Sequence, residues 1–320
     1  MTTRRDLLAG ASAGLTLIPL GRLAAQEGEG GPRQVAGLYR YGVGDVTVTA
    51  LLDGFIPLDT ELLSGIEPAR ANEFLRAAFV EGRQVDTSIN AYLIRAGDRT
   101  VMVDGGAGAV FGDTAGHLRG AVEAAGVDLG SVDTVFTTHL HPDHVGLLQS
   151  EGEATFPNAE LAVHETERAF WSDDANFANA GEQTKNFARI ARNTLGAYQD
   201  RLREIRDGDD IVPGVTAMHL PGHTPGHTGL AIESGGEQLL IWGDIVHIGP
   251  VQFSAPDVTI AFDVDPDQAA ATRARVMDMV ATDRLAFAGS HVDFPSFGHL
   301  IKASGDEGYD FVHGRWEHRL

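Results

Sequence analysis

Two apolar periods alternate along the chain. Period-two alternation runs through "DVTVTALLDG" and predicts a strand. "PARANEFLRAAF" instead carries its apolar residues at helical spacing, with Pro68 near the start, where a missing N–H costs nothing. In "INAYLIRAGDRTVMVDGGAG", two apolar runs flank "AGDR" and predict a hairpin closed by glycines. The pattern then predicts a helix over Asp113 to Ala125, a buried strand over "VDTVFTT", and a helix that starts at Pro142, just past His141. "AELAVHETERAFW" reads as a strand turning into a helix, and Gly181 to Tyr198 as a polar helix or pair of helices. Three strands follow, "GVTAMHL", "TGLAIES" and "EQLLIWGD", then a helix over "PDQAAATRARVMDMVA" and a last strand, "RLAFAGSH". Runs of strands, each half closed by helices and with no linker between the halves, predict an α/β (α+β) protein with two packed sheets and helices outside.

Composition narrows the class. A chain of 320 residues with 43% apolar content can bury a full core. Its formal charge of -21 argues against nucleic acid as a partner, because a polyanion needs a basic face. The N-terminal "MTTRRDLLAGASAGLTLIPLGRLAAQ" pairs Arg4 and Arg5, continues with an apolar stretch and ends near the small residues Ala24 and Ala25. That layout predicts a cleaved twin-arginine export signal over residues 1–25, a Gly-rich linker over 26–36 and the functional domain over 37–320. The expected location is periplasmic or secreted. The apolar stretch is too short and too rich in Gly, Ala and Ser for a stable membrane anchor. A homodimer is left open.

The chemistry concentrates in "TTHLHPDHVG", where three imidazoles and a carboxylate fall within six positions after an apolar run. In an extended segment residues two apart point the same way, so His139 and His141 can share one ion. Pro142 then turns the chain, and Asp143 and His144 project toward a neighbouring point. Four ligands cannot complete two ions, so others must come from further strand ends. His223 in "LPGHTPGH", Asp244 in "IWGD" and His291 in "AGSHVDF" fit. The set divides evenly: His139, His141 and His223 for one ion, Asp143, His144 and His291 for the other, with Asp244 bridging. The chain has no cysteine, so any metal must be held by imidazole and carboxylate, which suits two divalent ions, zinc first, with manganese, cobalt or iron as alternatives.

"THLHPDHVG", "PGHTPGH", "WGD" and "SHVDFPSFGH", taken with flanks such as "FPNAE" and "VQF", resemble the metallo-β-lactamase-fold hydrolases, and within them the methyl parathion hydrolase-like branch that also contains lactonases and aryl esterases. The resemblance runs from about Gly37 to Val312. It implies an αββα sandwich with a dinuclear site between the sheets and the same seven ligands. Asp244 sets the chain apart from true β-lactamases. The implied reaction is hydrolysis by a metal-bridging hydroxide. Asp143 would hand a proton to the leaving group. Asp104 in "VDGG" matches a family aspartate that orients a ligand histidine, although a turn-capping role fits equally. His227, four residues after His223, would brace the loop. His247 stands where related lactonases carry a polar group and phosphotriesterase-type members an apolar one, and is read either as a donor to a carbonyl oxygen or as a packing residue. Phe111, Trp171 and Phe187 match aromatic pocket positions of the branch, and Phe262 joins them as a candidate.

The implied substrate is an uncharged small molecule, a lactone or aryl ester first and a phosphotriester second. Glyoxalase-type thioesterases and mononuclear iron persulfide dioxygenases share the histidine motif and remain competing classes. So does a non-catalytic metal-binding protein.

Overall fold

In the computed structural model, residues 37–304 and 308–318 are described. The expected export signal over 1–25 and the linker over 26–36 lie outside them.

Period-two segments assemble into two seven-stranded sheets. The first has the order Leu38–Val43, Val46–Asp59, Gln84–Ala96, Arg99–Val103, Thr134–Phe136, Glu160–His164, Leu202–Ile205. Its first four strands pair antiparallel, and from Arg99–Val103 onward the pairing is parallel. Parallel neighbours require crossovers, and the helices Leu118–Ala124 and Glu182–Ala197 lie in two of them. The second sheet has the order Asp210–Val212, Val215–His219, Thr228–Ser234, Glu237–Ile241, Ala286–Ala288, Gly298–Lys302, Tyr309–His313. It is antiparallel except where Glu237–Ile241 meets Ala286–Ala288, and the helix Pro266–Thr282 makes that crossover.

Side-chain alternation sets the layers. Leu239 and Ile241 face the other sheet and join Val48, Tyr92, Ile94, Val103 and Phe136 in the central core, whereas Leu240 between them faces outward. On the outer face of the first sheet, Leu93, Met102, Val135 and Leu161 pack against Val122, Ala188 and Leu195 of the helices. On the outer face of the second, Leu240 and Phe287 pack against Val276, Met277 and Val280. The layer order is therefore αββα.

Two expectations need correction. The predicted helix over Asp113 to Ala125 is broken into a 3-10 turn, Gly112–Thr114, and a helix, Leu118–Ala124. Between them Gly116 has a φ of 88°, where a Cβ would strike the carbonyl of Gly108. The buried Asp53 carboxylate causes this turn by accepting from the amides of Ala107 (2.9 Å), Gly116 (3.0 Å) and Leu118 (2.7 Å). "RLAFAGSH" is also not the last strand, since Gly298–Lys302 and Tyr309–His313 extend the sheet beyond it. The strands Arg99–Val103, Thr134–Phe136, Val215–His219, Glu237–Ile241 and Ala286–Ala288 are followed in turn by Asp104, His139, His223, Asp244 and His291.

Candidate metal centre

Past Thr134–Phe136 the chain bends at Thr138 and runs to His141, whose backbone is extended (φ -67°, ψ 153°), and Pro142 starts the one-turn helix Pro142–Val145. His139 and His141 consequently face one point, with His139 Nε2 3.0 Å from His141 Nδ1. The loop after Val215–His219 brings His223 Nε2 to 2.9 Å from the same His141 atom. On the other side of the turn, Asp143 Oδ2 lies 3.6 Å from His144 Nε2 and 3.3 Å from His291 Nε2. Asp244 stands between the two groups. Its Oδ2 is 3.3 Å from His223 Nε2 and 3.2 Å from His291 Nε2, and its Oδ1 is 3.3 Å from His144 Nε2. The structure thus brings together all seven residues that spacing selected, in the two trios expected.

For His139, His144, His223 and His291 the other ring nitrogen is committed elsewhere, which aims the free one inward. His144 Nδ1 donates to Asp104 Oδ2 (2.8 Å), His223 Nδ1 to Asp263 Oδ1 (2.9 Å) and His291 Nδ1 to the Ser88 carbonyl (2.8 Å). His139 Nδ1 donates to Thr138 Oγ1 (3.1 Å), which itself donates to Asp104 Oδ2 (2.9 Å). Asp104, with φ 61°, sits in the turn, but its carboxylate orients His144 and accepts from Thr138 and caps none of the neighbouring glycines. His227 donates from Nδ1 to the Leu220 carbonyl (2.8 Å), and its Nε2 accepts from the Asp244 amide (2.9 Å). Burial brings its pKa down to about 3, so it positions Asp244 as a neutral ring.

These donors fit two cations. His139 Nε2 and His223 Nε2 are lone-pair atoms in the tautomers just described, and His141 Nδ1 lies within 3.0 Å of both. One proton on His141 can satisfy only one of those contacts, and a cation satisfies both. Burial, reinforced by charge from neighbouring histidines, holds His139 and His141 well below the usual imidazole range, which leaves them neutral and able to ligate. Around His144 the balance is reversed. Burial opposes its protonation, but Asp244, Asp143 and Asp104 outweigh it and push the pKa well up. Burial would also raise the Asp143 carboxyl, yet His144 and His291 hold it below the carboxylate range. Such a concentration of buried carboxylates calls for positive charge. His144 Nε2 and Asp244 Oδ1, both buried, form no hydrogen bond.

His247 lies at the same centre. Its Nε2 is 3.2 Å from Asp244 Oδ2 and its ring stacks on His291 (5.2 Å between centroids, 25°). Neither nitrogen makes a hydrogen bond. Burial lowers its pKa to about 4 against the pull of Asp244, so it is neutral near pH 7 and keeps one N–H to donate. Together with His291 it floors a cleft of about 1010 Å³ whose walls include Phe74, Thr87 and Phe253.

The aromatic candidates divide. Phe262 lies 6.5 Å from the His247 ring and Phe187 lies 6.1 Å from His141. Phe111 packs in a separate cluster with Ile89, Ala107 and Ala115. Trp171, expected on a pocket wall, is instead 1% exposed, edge-on to His141 at 5.4 Å, stacked on Phe177 and donating from Nε1 to Glu167. Asp263 and Glu167 escaped the sequence reading, although each adjoins a flagged aromatic, Phe262 directly and Trp171 at one helical turn.

A profile of the metallo-beta-lactamase superfamily matches residues 85–291. Among curated proteins the chain is similar to an N-acyl homoserine lactonase AttM of Rhizobium radiobacter, 28% identical over 171 residues, 47% of this chain and 62% of that protein. Another AttM, of Azorhizobium caulinodans, is 34% identical over 108 residues, 33% of this chain and 38% of that protein. The chain spans less than two thirds of either relative's length. Among solved structures it resembles hydrolase AbOPH in the beta lactamase superfamily, with 34% identity and a TM-score of 0.83 over 89% of this chain and 100% of that one. It also resembles AidC, a dizinc quorum-quenching lactonase solved with a product, with 25% identity and a TM-score of 0.82 over 88% and 99%. The chain belongs to the metallo-beta-lactamase superfamily.

Proposed function

We propose that this protein is a two-metal hydrolase that opens lactones or cleaves aryl esters. The observation that carries the reading is the placement of Asp244, one carboxylate within 3.3 Å of ring nitrogens from both trios. Relatives named as lactonases support the substrate class, and a dizinc structural neighbour supports zinc as the first metal to test.

His139, His141 and His223 would hold one ion, Asp143, His144 and His291 the other, and Asp244 both. Two such ions would acidify a water and polarise the carbonyl or phosphoryl oxygen of the substrate. The protein's own groups do the rest. Asp104, Asp263 and the Ser88 carbonyl keep the ligand rings in one tautomer. Asp143, kept as a carboxylate 3.3 Å from His291 Nε2, would take a proton and pass it to a leaving alkoxide or phenoxide. His247, neutral and with an uncommitted N–H, donates to the oxygen on which charge develops.

The test is a panel of lactones, aryl esters, phosphotriesters and β-lactams on one metal-defined preparation, compared by kcat/KM. Lactone or aryl-ester turnover should lead, and its absence beside efficient phosphotriester turnover would overturn the reading. His247→Leu sharpens the comparison. A single oxyanion donor is worth about 2.7–4 kcal/mol, a factor of about 10²–10³. A phosphotriester, already tetrahedral, depends less on that donor than on space. Lactone kcat/KM should therefore fall far more than phosphotriester kcat/KM. Equal losses with unchanged metal content would reduce His247 to a packing residue. Export by residues 1–25 belongs to the same proposal, and a mature N-terminus near residue 26 in a periplasmic fraction would be its sign.

A further inference from the structure

The helix Glu165–Ser172 places a buried carboxylate where the metal centre needs a brace. Glu167 is fully buried, and no Lys or Arg lies among its hydrogen-bond partners. Oε1 accepts from the Leu140 amide (2.9 Å) and from Trp171 Nε1 (2.7 Å). Oε2 accepts from Thr224 Oγ1 (2.7 Å) and from the Gly226 amide (3.0 Å). Leu140 is the residue between His139 and His141, and Thr224 follows His223. One carboxylate therefore ties two loops that are 82 residues apart in sequence at the point where His141 and His223 meet. Their approach is close enough that a Cβ on Gly226 would run into the backbone of Glu167. Burial raises the Glu167 pKa, and the four hydrogen bonds oppose that rise.

The arrangement is one-sided. Three of the four contacts reach the loops of the His139, His141 and His223 trio and the fourth holds Trp171 of the same helix, while His144 and His291 are oriented by Asp104 and the Ser88 carbonyl. We infer that Glu167 is the positioning residue for one half of the centre, a clamp that sets the spacing of the His139–His141 loop and the His223 loop. Asp263 orients the His223 ring, and Glu167 sets where the loop that carries it stands. The inference rests on the two-metal reading above.

The experiment is chelator competition on Glu167→Gln and wild type, read as bound metal and as the visible spectrum after cobalt substitution. The amide keeps one acceptor oxygen but turns an NH₂ toward donors that need an acceptor, so half the clamp is lost at nearly constant volume. Loss of an outer partner of this kind typically weakens metal binding about 10- to 100-fold. One equivalent should leave at correspondingly lower chelator while the second stays near its wild-type midpoint. Hydrogen exchange on the metal-free protein supplies a second readout, with faster exchange expected at the Leu140 and Gly226 amides and no change over residues 289–292. Thr224→Val removes a single donor, should show a weaker form of the same pattern, and stands in if Glu167→Gln does not fold. Equal loosening of both ions, or unchanged exchange at Leu140 and Gly226, would overturn the clamp. A wild-type protein that holds fewer than two ions would overturn the two-metal reading instead, with the exchange arm still deciding the clamp.

Discussion

Asp244 approaches more of the centre than any single histidine does, since its two oxygens reach His223, His291, His247 and His144 at 3.2 to 3.3 Å. On the two-metal proposal each trio would be completed by the same anion, so Asp244→Ala would remove a ligand from both. Metal content after dialysis should drop for both ions together, and turnover with it. Elemental analysis beside a lactone assay reads both quantities. Two ions retained at full activity would show that the trios are independent and that Asp244 does not bridge. The histidines differ in how well they tolerate change. His227 belongs to neither trio, yet its Nε2 accepts from the Asp244 amide, so its contribution reaches the centre through the backbone of Asp244.

At the level of elements, strand ends from both sheets meet in one pair of rings. His164 ends Glu160–His164 in the first sheet and His219 ends Val215–His219 in the second, and their rings stack at 4.2 Å and 10°. His164 also caps the Glu167 helix, its Nδ1 accepting from the Thr166 amide at 3.2 Å. Burial first, and the His219 ring second, lower its pKa, while Glu165, Asp207 and Asp209 pull the other way. The folded pKa thus lies below the unfolded value of 6.5. In that window the unfolded chain binds more protons, so stability rises with pH and is lost on acidification below about 6.5. Protonation of Nδ1 would also remove the cap. His164→Asn keeps a capping oxygen and abolishes the titration. Its Tm should fall less than that of wild type between pH 7 and pH 5, and parallel curves would exclude the pair as a contributor.

What the sequence shows and hides follows from distance along the chain. The ligands were legible because each follows an apolar strand by three to eight residues, so the strand pattern and the chemistry are read in one window. Glu167 was not, because its partners at Leu140, Thr224 and Gly226 lie 27 to 59 residues away. The break at Gly116 depends likewise on Asp53, 63 residues upstream. Trp171 shows a different limit. Helical spacing says that it faces inward but not whether inward means a cavity or a packed layer, and here Phe177 and Glu167 fill the space.

For the whole molecule, a formal charge of -21 bears on which substrates reach the centre. Among the described residues the cleft above His247 and His291 is walled by Phe74, Phe253 and other apolar groups, its rim carries Glu81, Asp86, Asp293 and Asp310, and no Lys or Arg lines it. A cleft lined by one sign of charge focuses the field and shifts association rates by about tenfold or more. A neutral lactone passes such a rim, whereas its ring-opened product is a carboxylate that the rim repels. The same field should disfavour substrates that already carry a carboxylate or phosphate. For a matched pair of esters, one neutral and one anionic, kcat/KM should favour the neutral member at low salt by about tenfold. The gap should narrow as added salt shortens the screening length to about 8 Å at 0.15 M and below. Glu81→Gln combined with Asp86→Asn should narrow it without salt and leave the neutral ester unaffected, since neither side chain reaches the metal ligands. Equal turnover of both esters at low ionic strength would show that substrate enters by a path this rim does not border.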